Sequence, residues 1–101
     1  MKHIQIILVF IFLITTTSVY AEKITIAAAS DLKFAMDDIV KLFKKDHPAD
    51  EIEVIFGSSG KTFTQIQQGA PYDIFFSADI RYPQELVDKG LASSKIKLYA
   101  I

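Results

Sequence analysis

The stretch Lys23-Ile24-Thr25-Ile26-Ala27-Ala28-Ala29-Ser30-Asp31-Leu32-Lys33-Phe34-Ala35-Met36-Asp37-Asp38-Ile39-Val40-Lys41-Leu42-Phe43 decides the fold class. Its first seven residues, KITIAAA, read as a strand whose far end carries only small side chains. Leu32, Ala35, Met36, Ile39 and Phe43 then recur at helical spacing, which predicts an amphipathic helix from Asp31 to about Asp46. His47-Pro48 ends it. Further along, Ile52 to Phe56 reads as a second strand, rich in β-branched residues. Gly57-Ser58-Ser59-Gly60 reads as a loop. Thr62, Phe63 and Ile66 predict a second short helix, stopped by Gly69-Ala70-Pro71. Asp73 to Ser77 reads as a third strand. Pro83 suits the first turn of a third helix, and Gly90 follows its end. Lys97 to Ile101 begins another apolar run. The order β-α-β-α-β-α-(β) implies an α/β fold, a parallel sheet with helices on both faces. Ile74-Phe75-Phe76 is a continuous apolar run, as expected for a strand buried on both sides.

Upstream of this block the character changes. Met1-Lys2-His3 is a short positive start, and Ile4 to Ile14 is apolar except for Gln5. Thr15 to Ser18 is small and polar, and Ala21 offers a small residue for cleavage. This is the order of a secretory signal peptide over residues 1–21, with cleavage expected after Ala21. The run is too short to span a membrane, which takes about 20 apolar residues. It also explains why half of the 101 residues are apolar. Lys2 is the one Lys or Arg of the segment, so residues 22–101 keep 10 of the 11 Lys+Arg against 12 Asp+Glu, a net charge of −2. That balance, without a basic block, argues against a nucleic-acid partner. There is no cysteine, which excludes a disulfide scaffold, a thiolate metal site and a thiol nucleophile. No lipid-modified cysteine is expected to tether the mature chain, so a soluble periplasmic location is expected.

In a parallel α/β sheet, ligands sit outside the carboxyl ends of the strands, near helix N-termini. After the first strand comes Ser30. It suits a helix cap. Equally, its hydroxyl and the first free N–H groups of a helix suit an anion. After the second strand comes Gly57-Ser58-Ser59-Gly60-Lys61-Thr62, a turn whose consecutive N–H groups can form an anion nest. Gly60-Lys61-Thr62 matches the end of a phosphate-binding P-loop, but that motif needs glycine five positions before Gly60, where Ile55 stands. Ser30 and Ser59 are one βαβ unit apart, so parallel neighbouring strands would bring both hydroxyls to one sheet edge. Ser77-Ala78-Asp79 follows the third strand, with Asp79 read as a cap or turn residue. Asp73 is read as a partner of nearby backbone.

Catalysis finds little support. No histidine follows the serines, and a nucleophile elbow would require glycine at Lys61. His47 reads as a surface residue at a helix C-terminus. Asp37-Asp38 reads as a solvated mid-helix pair. No residue set has metal-ligand spacing.

Ala27-Ala28-Ala29-Ser30, Phe34-Ala35-Met36, Phe56-Gly57-Ser58-Ser59-Gly60-Lys61 and Gly69 to Asp79 (GAPYDIFFSAD) together resemble the periplasmic molybdate-binding proteins of ABC transporters. The resemblance runs from Lys23 to the end of the chain. It implies a lobe of a type II-like periplasmic solute-binding protein, which closes on a tetrahedral oxyanion and hands it to an inner-membrane ABC permease. It also implies that Ser30 and Ser59 each give a hydroxyl to the anion, supported by the Gly57, Ser58 and Gly60 loop. Molybdenum would be met only as its oxyanion, with no cofactor and no enzymatic activity, by a monomer. The other contacts of the family come from a second lobe and have no counterpart in these residues.

The chemistry fits. Molybdate is a fully deprotonated dianion at neutral pH and needs only donors. Phosphate retains a proton near neutrality, its second pKa being about 6, and gains from a carboxylate acceptor. Asp31 lies next to Ser30 but should point away from the turn. Tungstate and sulfate also lack protons, so molybdate, tungstate, sulfate and phosphate all stay open as ligands. A fragment of an exported serine hydrolase with Ser59 as nucleophile, or a non-functional remnant, stays open as a different class. Residues 22–101 correspond to the N-terminal part of lobe 1, and ending within Leu98-Tyr99-Ala100-Ile101 reads as truncation. So short a segment is expected to fold poorly and bind weakly alone.

Overall fold

Hydrogen bonding along the chain alternates between ladders and helices as the apolar pattern requires. The computed structural model describes residues 21–99. Strand β1 (Lys23–Ala29) runs into a 3-10 turn (Ser30–Leu32) and helix α1 (Lys33–Asp46). Strand β2 (Glu51–Gly57), helix α2 (Ser59–Gln67), strand β3 (Ile74–Phe76) and helix α3 (Arg81–Asp88) follow. The three strands form one sheet in the order β2-β1-β3. Both pairings are parallel, with Ile26 opposite Val54 on one side and opposite Ile74 on the other.

Crossovers that leave β1 in one direction and then return past it place their helices on opposite faces, since such connections are right-handed. The packing agrees. Ile26, Ala28 and Met36 form the core between β1 and α1, with Ile24, Ile52, Val54, Phe56 and Phe76 packed around them. Side chains alternate across a strand, so Ala27 and Ala29 face the other way. They are buried too, on the side where α2 meets β1. Small residues on both faces of β1 let two helical layers approach the central strand. Helices α2 and α3 stop at glycines with positive φ, Gly69 at 94° and Gly90 at 72°, the left-handed position that favours glycine after a helix end.

Several expectations need correction. Ile74-Phe75-Phe76 is not buried on both faces. β3 lies at an edge of this sheet, Ile74 is 44% exposed, and both phenylalanines are half-buried. Helix α1 does not begin at Asp31, because residues 30–32 wind as a 3-10 turn first. The loop over residues 57–60 shrinks to Ser58, since Gly57 ends β2 and Ser59-Gly60 open α2. Residues 97–99 form no strand. The expected signal segment lies outside the described residues up to position 20, and the apolar run from Lys97 passes outside them at 100–101. Among the described residues no helix is long and apolar enough to cross a membrane.

Candidate functional site

The register brings three turns to one edge of the sheet. Ala29 pairs with Gly57, and Ala28 pairs with Phe76. Ser30, Ser58 and Ser77 therefore leave their strands at nearly the same level, on strands about 4.8 Å apart. Between β1 and β3 the chain has changed direction across the sheet, the topological switch point where α/β sheets open a crevice. His47 caps the other end of α1 and so belongs to the opposite edge. There it stacks on Phe43 with ring centroids 4.3 Å apart and lies 3.7 Å from the Asp50 carboxylate.

Each serine at this edge has a different attachment. Ser30 is exposed and opens the 3-10 turn. It is not the cap that sequence offers it as. The cap positions of the turn and of α1 are Ala29 and Leu32, and neither has a side-chain cap bond. Ser58 is the cap of α2, and its Oγ accepts the Lys61 N–H at 3.3 Å. Ser59 is the first helical residue, and its Oγ accepts the Ala78 N–H at 3.0 Å. That bond ties the β2–α2 turn to the turn after β3. A hydroxyl that accepts one bond still has its proton to donate.

Of the two glycines, only Gly60 is required by packing. A Cβ on Gly60 would stand 2.9 Å from the Tyr82 hydroxyl, whereas one on Gly57 would make an ordinary contact at 3.9 Å with Thr62. Gly60 therefore makes room for Tyr82, whose ring packs on Phe63 with centroids 5.2 Å apart. Tyr82 was invisible to motif reasoning, because its role depends on α3 folding back on α2.

The electrostatics suit a donor-rich site. No acidic residue lies in the first turn of α2, so nothing there offsets the partial positive charge of its N-terminus. Asp31 is exposed. Asp79, one residue beyond Ala78, is engaged by Arg81: its Oδ1 accepts the Arg81 backbone N–H at 2.9 Å, and its two oxygens take Nε and Nη2. These bonds hold its carboxyl at about 2, below the ordinary 3.8. Asp79 is thus a turn residue, as expected from sequence. Asp73 also pairs with backbone, its Oδ2 accepting the Thr25 N–H at 2.8 Å. Among the described residues no group of three His, Cys, Asp or Glu could hold a metal ion. What this edge offers a ligand is hydroxyl protons and backbone amides.

Residues 24–101 match the family described as bacterial extracellular solute-binding protein. The chain belongs to that family. Among proteins similar to this solute-binding protein, one of Bacillus subtilis strain 168, named as an ABC transporter substrate-binding lipoprotein, YvgL, is 40% identical over 81 residues. The alignment covers 80% of this chain and 31% of that protein. The molybdate-binding protein ModA of Escherichia coli K12 is 45% identical over 67 residues, 66% of this chain and 26% of its own. The solved periplasmic molybdate-binding protein of Azotobacter vinelandii superposes with a TM-score of 0.63 at 31% identity, over 66% of this chain and 29% of that one. This solute-binding protein therefore spans between about a quarter and a third of the length of the relatives it matches. The family is one of binding proteins, and the expected parallel α/β lobe agrees with it.

Proposed function

We infer that residues 22–101 form the N-terminal part of the first lobe of a periplasmic molybdate-binding protein, and that the protein delivers the anion to an inner-membrane ABC permease. In this reading residues 1–21 direct export and are cleaved after Ala21. The lipoprotein named among the relatives differs at this point, since this chain contains no cysteine to carry a lipid. Ser30 and Ser59 donate their hydroxyls to the oxyanion, and Gly57, Ser58 and Gly60 form the supporting loop around Ser59.

One observation carries the reading. Two serine turns end the adjacent parallel strands β1 and β2 at one edge of the sheet, and Asp79, the carboxylate beside the Ala78 amide whose N–H Ser59 accepts, is already engaged by its own arginine. A fully deprotonated tetrahedral dianion needs donors from every side and no acceptor. Protonated phosphate carries an O–H of its own and gains less from a site whose backbone amides and hydroxyl protons only donate. The names of the relatives add support for molybdate over sulfate.

The test is an amide-resolved NMR titration of the chain with molybdate, and with tungstate, sulfate and phosphate in parallel. Shifts should concentrate at Ser30, Asp31, Ser58, Ser59, Gly60 and Ala78, with molybdate or tungstate the tighter ligand. Preference for phosphate, or shifts confined to other residues, would overturn the reading.

A further inference from the structure

We propose that the turn Ser77–Asp79 is a working part of the oxyanion site, with Ala78 and Tyr99 as positioning residues that aim the Ser59 hydroxyl. The proposal rests on the oxyanion reading of Ser59.

A serine hydroxyl has one proton and two lone pairs, and in a first helical turn it can rotate toward several backbone partners. The Ala78 N–H, 3.0 Å from Ser59 Oγ, takes one lone pair and removes that freedom. The proton is left on the side away from Ala78. A hydroxyl that accepts a hydrogen bond also donates more strongly. Ala78 can do this only if its turn is fixed, and the turn is held by more contacts than a strand-to-helix connection requires. Ser77 Oγ accepts the Asp79 N–H at 3.1 Å and donates to the Asp79 carbonyl at 2.7 Å. Arg81 grips the Asp79 carboxylate, which also mutes a negative charge that would repel a dianion. Tyr99, 22 residues further along the chain, donates from its hydroxyl to the Ser77 carbonyl at 3.0 Å, and its ring stands edge-on to Phe76 with centroids 5.6 Å apart. The path Tyr99, Ser77, Ala78, Ser59 links the segment after α3 to the anion.

Two measurements on the full chain test this. In the absence of ligand, Ser59→Ala removes the acceptor of the Ala78 N–H, and hydrogen exchange at Ala78 should quicken by about fivefold to tenfold. Tyr99→Phe keeps the ring on Phe76 and loses only the hydroxyl. It should weaken molybdate binding by about fivefold in calorimetry, with Ala78 exchange quickened and the urea midpoint little changed. A purely structural tyrosine would instead lower the midpoint and leave both the affinity and Ala78 exchange as in the parent. If Ala78 exchange ignores Ser59→Ala, or Tyr99→Phe binds like the parent, the positioning role is wrong while the oxyanion reading stands. If the parent chain binds no oxyanion, both fall.

Discussion

Ser30 and Ser59 differ in what holds them, and that difference decides what each substitution should reveal. Ser59 both anchors the Ala78 amide and offers a proton, so Ser59→Ala should weaken molybdate binding by about tenfold or more, the usual cost of a hydrogen bond to a charged group. Ser59→Thr keeps the hydroxyl and should recover part of it, with isothermal titration calorimetry as the measure. Asp79 makes a prediction of its own. Its carboxyl sits at about 2 because Arg81 stabilises the charged form. The stabilisation is therefore complete above the ordinary value near 4 and is lost as pH falls through about 2. Carbon-detected NMR should give an Asp79 midpoint near 2, moving toward 3.8 in Arg81→Gln. Salt should narrow that difference, since the pair is exposed.

At the scale of elements, the start of α2 concentrates three distinct demands in three consecutive residues. Ser58 caps, Ser59 reaches Ala78, and Gly60 clears Tyr82. Ser58→Ala should cost about 1 kcal/mol of stability by urea unfolding, the ordinary price of an N-cap. Gly60→Ala sets helix propensity, about 1 kcal/mol in favour of alanine, against a clash at 2.9 Å with the Tyr82 hydroxyl. We expect the clash to win in the parent, with a net loss of about 1 kcal/mol. In a Tyr82→Leu background the same substitution should become neutral or stabilising. A loss of equal size in both backgrounds would mean that Tyr82 is not the reason for the glycine. Strand β1 is equally constrained, because Ala27 and Ala28 are almost fully buried on opposite faces.

At the scale of the whole molecule the core is thin. Among the described residues the buried hydrophobic set is Ile26, Ala27, Ala28, Ala29, Met36 and Leu86, while Phe34, Leu42 and Leu98 are well exposed. A chain with so few large buried side chains should be marginal. Urea unfolding should give no more than about 3–5 kcal/mol. Oxyanion that binds only the folded form should raise that value in proportion to the logarithm of its concentration, so molybdate should shift the midpoint more than phosphate does.

Much of this arrangement was legible in the residues. Periodicity set the element order, because a helix and a strand sort apolar side chains differently along the chain. The alanines of β1 marked a strand end with only small side chains, and the spacing from Ser30 to Ser59 announced one βαβ step. Other features were decided only by tertiary structure. Whether Ile74-Phe75-Phe76 was central or at an edge depended on sheet order, and a string of apolar residues carries no record of which neighbour it meets. Ser30 suited a helix cap in sequence, and only the 3-10 turn after β1 denied it that role, while Ser58 took it at α2. The Ala78–Ser59, Tyr99–Ser77 and Gly60–Tyr82 contacts join residues 19 to 22 positions apart. Such contacts exist only after helices and strands have docked. Local sequence thus determined the elements and the chemistry waiting at their ends, and packing determined which hydroxyl is held, by what, and in which direction its proton is free to point.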